Sequence, residues 1–193
     1  MELFLKAVLI IFLIVFLGLF LFSIILIAVH RKTGGALFVP TPQVVLDTIM
    51  EHVDFSQYRD IRELGAGDGR FMAAVEKTHG LPVIGYEVNP LAYLLCRLRL
   101  GVSGLSSRVE YESFWEADLG GAQAVFCYLF PDIMPRLGEK LAHELDDGAL
   151  VISANFPLPG WTPEGIIHSD HPVFNDPVFL YRKGAHLKRT GRR

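Results

Sequence analysis

The stretch RELGAGDGR, residues 62–70, places glycine at every second position, 65, 67 and 69, between acidic side chains. Glycines in such a turn let a ligand approach the backbone and permit positive φ where it is needed. Glu63 precedes them, and Glu87 follows Gly65 by 22 residues, at the end of the next strand-like segment. A carboxylate at that second position suits both hydroxyls of a ribose. One just ahead of the glycines can face an ammonium group. The same spacing argues against two phosphate-binding turns. A P-loop ends in Gly-Lys-Ser/Thr, whereas Gly69 is followed by Arg70-Phe71. The dinucleotide fingerprint wants its third glycine where Arg70 stands. Asp68, at the start of the next helix, is expected to repel an anion that would otherwise favour the positive end of the helix dipole. A nucleoside carrying positive charge fits better.

The elements around this turn read as alternating strands and helices. Strand-like segments are DIREL (60–64), PVIGYEV (82–88), RVEYES (108–113), AQAVFCYLF (122–130) and GALVISANF (148–156). Helix-like segments are VPTPQVVLDTIMEHV, with Thr41 as N-cap and Pro42 at the first helical position, and RFMAAVEKTHG. NPLAYLLCRLRLG, capped by Asn89, and DIMPRLGEKLAHEL follow. EGIIHSD and DPVFLYRK are short and flanked by turn residues, as in an antiparallel edge pair. The whole predicts an α/β fold, a Rossmann-like, mostly parallel sheet with an antiparallel C-terminal pair. Ligands of such sheets lie at the carboxyl ends of the strands.

The N-terminus has another character. Ala7 to Val29 is 23 residues without a charge. As a helix it would be roughly 34 Å long, enough for a bilayer core of about 30 Å. The stretch is longer than a signal-peptide core and lacks a small-x-small cleavage site, so one retained N-terminal transmembrane helix is expected. His30-Arg31-Lys32 after the span place the remaining chain on the cytoplasmic side. The expected organisation is an anchor (1–30), a linker (31–37), a catalytic domain (38–183) and a basic tail (184–193). With 18 Lys+Arg against 21 Asp+Glu there is no basic excess to suggest nucleic acid as a partner. Two cysteines, Cys96 and Cys127, make neither a disulfide framework nor a metal cluster. His168, Asp170 and His171 read as turn residues rather than metal ligands, so no metal is expected.

The E-x-G-x-G-x-G turn after a first strand resembles motif I of class I S-adenosylmethionine-dependent methyltransferases. FVPTP (38–42), YEVNP (86–90) and NFPLPGW (155–161), with the N-terminal span, resemble more closely the membrane-anchored protein-lysine methyltransferases of mitochondria and their bacterial relatives. The resemblance covers about residues 36–183. It implies S-adenosyl-L-methionine as cofactor, with Glu63, Gly65, Gly67, Gly69, Glu87, Asn89, Glu112 and Ser113 around it. The adenine contact falls either to Glu112 or to a backbone group near Phe114, since related sequences tend to carry Asp where Ser113 stands. On the substrate side the pattern matches at Pro40, Thr41, Asn155 and Phe156. Tyr128, Phe130 and Trp161 are candidates for an aromatic pocket that lowers the pKa of an acceptor lysine and contacts the methylated product. The implied partners are the bilayer and a membrane-associated protein. Methylation of a membrane quinone or lipid, or a silent cofactor-binding scaffold, are the alternatives.

Overall fold

A computed structural model of the chain describes Met1, Lys6 and residues 10–20, 38–173 and 175–184. The chain divides into two compact units, residues 1–37 and 38–193. In the first, residues 10–20 are helical and their apolar side chains are exposed. Among the described residues no helix is long and apolar enough to cross a membrane. The rest of the expected span, the 31–37 linker and residues 185–193 of the basic tail lie outside the described residues.

The second unit is built on a seven-stranded sheet. Its strands are β1 (Ile61–Leu64), β2 (Val83–Tyr86), β3 (Arg108–Glu110), β4 (Ala124–Cys127), β5 (Leu150–Ala154), β6 (Gly165–Ile167) and β7 (Val178–Arg182). The order is β3-β2-β1-β4-β5-β7-β6. The first five are mutually parallel, β1 pairing with both β2 and β4. β7 runs antiparallel to β5 and to β6. The expected Rossmann-like sheet with its antiparallel edge pair is therefore present. The order reverses direction at β1, which makes the β1 and β4 ends the switch point where such sheets bind ligands. β4 is shorter than its apolar run suggests: Tyr128, Leu129 and Phe130 continue past Cys127, the last residue of its ladder.

Helices α1 (Gln43–His52), α2 (Arg70–His79), α3 (Pro90–Val102) and α4 (Met134–Glu144) cover the faces. Period-two alternation divides the core. Ile61, Val83, Ala124, Phe126 and Ile152 pack with Leu46, Ile49 and Phe71 of α1 and α2. Leu64, Val125, Cys127 and Val151 pack with Leu137 and Leu141 of α4. Phe71 stacks on Phe126 at 4.0 Å between ring centres, fixing the start of α2 over β4. Pro42, not Thr41, occupies the N-cap position of α1, with no side-chain cap. The Thr41 side chain is buried one residue earlier. Asn89 caps α3 as expected: its side-chain oxygen accepts from Leu91 N and Ala92 N, and Pro90 opens the helix.

Candidate cofactor and acceptor site

The glycine turn leaves β1 at its carboxyl end and is held to β2 by backbone hydrogen bonds from Gly65 N and Ala66 N to Tyr86 O. Gly65, Gly67 and Gly69 have φ of +76°, +55° and +75°, a region that costs a residue with a side chain energy. Space forbids a side chain as well. A Cβ on Gly67 would lie 2.5 Å from the Phe38 ring, and one on Gly65 2.9 Å from Leu129. On Gly69 it would meet Cys96 Sγ at 2.5 Å. Gly69 therefore serves the packing of α2 against α3, while Gly65 and Gly67 face the cleft.

Two buried carboxylates flank the turn. Glu87 Oε2 accepts from Gly67 N at 2.8 Å and Oε1 from Asn89 N at 2.6 Å. Both oxygens keep a second lone pair. Burial pushes the Glu87 carboxyl up, against hydrogen bonds from the amides of Asn89, Gly67 and Val88. Glu63 is more extreme. It is 4% exposed, and its Oε2 is buried without a hydrogen-bond partner. Burial first, then the charges of Asp68 and Glu87, raise this carboxyl well above the usual range. A buried acceptor of this kind costs about 1–3 kcal/mol unless something supplies a donor.

Asp68 does not behave as the sequence suggests. Arg70 Nη2 approaches its Oδ2 at 2.9 Å and Arg99 Nη2 at 2.7 Å. Burial alone would raise its carboxyl, but hydrogen bonds from Arg70 and the charges of Arg70 and Arg99 outweigh it and hold it low. With two guanidinium groups against one carboxylate, Asp68 repels no anion. The case against a dinucleotide rests instead on Arg70. Its Nη1 donates to Thr41 O at 2.9 Å, which ties the Phe38–Thr41 segment over the turn. In the sequence Arg70 marks only the lack of a P-loop lysine and of the third dinucleotide-binding glycine.

One cleft is lined by Phe38, Pro40, Thr41, Glu63, Gly65, Gly67, Arg70 and Tyr128. This brings Glu63, Gly65 and Gly67 of the cofactor-side candidates together with Pro40, Thr41 and Tyr128 of the acceptor-side ones, at the end of β1 and β4. The remaining aromatic candidates do not join Tyr128. Phe130 is exposed and does not line the cleft. Trp161 packs in the opposite core layer, edge-on to Tyr181 at 5.9 Å and with Nε1 3.3 Å from where a Gly138 Cβ would lie. Of the three expected rings, only Tyr128 lines this cleft. Burial, then the charge of Asp176, push the Tyr128 phenol up, so it stays protonated at neutral pH.

Asn155 and Phe156 follow β5. Asn155 has a positive φ of 71°, uncommon outside glycine but tolerated by asparagine, and its amide donates to Pro177 O at 2.7 Å. Such local strain clusters at functional sites. Phe156 packs with the α4 layer, its carbonyl accepting from Ser153 Oγ at 2.6 Å. Glu112 is exposed beyond β3. Ser113 Oγ accepts from Trp115 N at 3.3 Å in the turn that follows.

Against this geometry, the model of the ANTKMT methyltransferase domain matches residues 63–165, from Glu63 through the start of β6. A protein-lysine N-methyltransferase of Saccharolobus islandicus (strain REY15A) is 32% identical over 153 residues, covering 77% of this chain and 94% of that protein. The chain belongs to the ANTKMT methyltransferase-domain family. An adenine nucleotide translocase lysine N-methyltransferase of Mus musculus is 37% identical over 107 residues, 54% of this chain and 47% of that protein. The chain thus spans about half the length of this mouse relative. An RNA methyltransferase from Salinibacter ruber, solved with S-adenosyl-L-homocysteine, superposes with a TM-score of 0.68 at 28% identity. It covers 75% of this chain and 93% of that one.

Family membership makes S-adenosylmethionine the cofactor, and the ANTKMT-type site fits it on its own terms. The orphaned Glu63 oxygen wants a donor, and an ammonium group supplies one with the opposite charge. The turn leaves no room for a Cβ at Gly65 or Gly67. Glu87, held by hydrogen bonds from Gly67 N and Asn89 N, retains acceptor capacity for hydroxyl donors.

Proposed function

We propose that the protein is a membrane-anchored methyltransferase that transfers a methyl group to the side-chain nitrogen of a lysine in a membrane-associated protein. The observation that carries the lysine assignment is the likeness to the Saccharolobus islandicus protein-lysine N-methyltransferase over nearly its whole length. The 23-residue uncharged stretch supports the anchor, with the catalytic unit on the cytoplasmic side as the flanking charges favour.

When bound, the cofactor supplies a methyl group activated by a positive sulfur. The chain's task is then to hold acceptor and methyl group in line and to exclude water. Glu63 holds the ammonium end, Glu87 the ribose, and the Gly65–Gly67 backbone lets both groups be reached at once. Tyr128 and the Phe38–Thr41 segment, fixed by Arg70, wall the cleft. The apolar part of that wall, Phe38, Pro40 and the Tyr128 ring, disfavours the charged form of an entering lysine, so its amine is more readily neutral when it meets the methyl group. The tyrosine face then contacts the methylated cation.

The RNA methyltransferase likeness favours a second acceptor class, but a net charge of -3 offers a polyanion no footprint. One incubation separates the acceptors. Membranes, purified full chain and radiolabelled cofactor are combined, beside a Glu87→Ala control. Label in a discrete protein band, lost in the control, supports the reading; label in the lipid extract or in RNA overturns the acceptor, and no label overturns the activity.

A further inference from the structure

Helix α3 presents an apolar face that nothing in its own unit covers. Leu91, Leu94, Leu98 and Val102 are 66%, 61%, 60% and 81% exposed, and Leu95 is also exposed. They fall at i, i+3, i+4, i+7 and i+11, one stripe along three turns. The helix buries only Ala92, Cys96 and Leu100, a small share for an element of 13 residues. Its sequence PLAYLLCRLRLGV has no acidic residue, and its two charges are Arg97 and Arg99. Arg97 lies over the Tyr93 ring at 5.8 Å. Arg99 reaches inward to Asp68. A stripe of leucines bordered by arginine and tyrosine, without carboxylates, is the composition of a helix lying in a bilayer interface. A soluble monomer rarely leaves such a stripe bare.

We propose that the Leu91–Val102 face of α3 is a membrane-docking surface that lays the catalytic unit on an anionic lipid bilayer. The occupant is lipid rather than a second copy because of charge complementarity. The helix is cationic amid an overall acidic chain, so a second copy of the same face would oppose like charges, whereas anionic headgroups would not. Through Arg99 and Asp68, α3 is also joined directly to the glycine turn, so a docked helix sets the height of the cofactor site above the membrane. This inference rests on the membrane reading above, which concerns the N-terminal stretch.

The test uses the full chain in vesicles of phosphatidylcholine and phosphatidylglycerol. Cys96 and Cys127 are buried, so an environment-sensitive fluorophore can be placed selectively at Leu94→Cys or Leu98→Cys, and at Glu139→Cys on α4 as a control. Flotation with the vesicles reports the anchor. Quenching by nitroxide-bearing lipid reports the helix. The expected result is flotation with blue-shifted emission and quenching several-fold stronger at 94 and 98 than at 139. Flotation with equal quenching at all three positions overturns the docking face and leaves the anchor standing. Failure to float overturns both. Shielding at 94 and 98 that grows with protein density, without lipid quenching, identifies a second copy and overturns the lipid assignment.

Discussion

At the scale of single residues, the site turns on one buried carboxyl oxygen, Glu63 Oε2, left without a hydrogen-bond partner. Glu63 sits behind the glycine turn with Asp68 and Glu87 as acidic neighbours. Its carboxyl is raised, so without ligand it holds a proton over pH values where an ordinary glutamate has lost one. Folding stability from this group is present at low pH and is lost as pH rises from the usual glutamate range towards its raised value. An ammonium ligand reverses the preference and must displace that proton. Binding of S-adenosylhomocysteine, measured by calorimetry between about pH 5 and 7 where the ligand amine stays charged, should therefore tighten as pH rises and release protons. Glu63→Gln should bind more weakly with a flat profile. Equal slopes for the two proteins would remove Glu63 from the ammonium site. Asp68 teaches the opposite lesson. Its charge was legible in the sequence, and one guanidinium partner, Arg70, stands only two residues on. The other, Arg99, comes from α3, 31 residues away, and no local pattern announces it.

At the scale of elements, apolar runs and turn residues made the strands and helices legible, along with the antiparallel pair at the end. The end of β4 was not, because Tyr128-Leu129-Phe130 carry its apolar run on past the ladder. The same ambiguity misplaced Trp161. A loop after β5 can deliver its side chain to either face of the sheet, and here it lands on α4 and Tyr181. Trp161→Ala should therefore lower stability by about 2–3 kcal/mol, somewhat below the cost for a fully buried aromatic, with cofactor affinity unchanged. Chemical denaturation beside calorimetry checks this; a stable variant that loses turnover would restore Trp161 to the acceptor pocket. Asn89 poses a like question. Its side chain caps α3 while only its backbone amide reaches Glu87. Asn89→Ala should cost about 1 kcal/mol of stability, the usual worth of a cap, and leave cofactor binding within a few-fold of the parent. A large loss of binding at full stability would make the side chain a direct cofactor contact.

At the scale of the whole molecule, the nearness of the glycine turn, Glu63 and Glu87 was legible from spacing, because their order follows from the β1–turn–α2–β2 path of the chain. The Phe38–Thr41 segment lies far from them in sequence and joins through Arg70, a contact only the folded chain shows. Under the proposed function, a cofactor site of this construction serves an acceptor lysine held at a membrane. Acid hydrolysis of the protein band labelled by the full chain in membranes, followed by amino-acid analysis, tests that union most directly. Radiolabel is expected as N-methylated lysine, with at least a tenfold loss, about 1.4 kcal/mol of binding or activation energy, in the Glu87→Ala control. Label recovered on any other residue, or undiminished in that control, would contradict it.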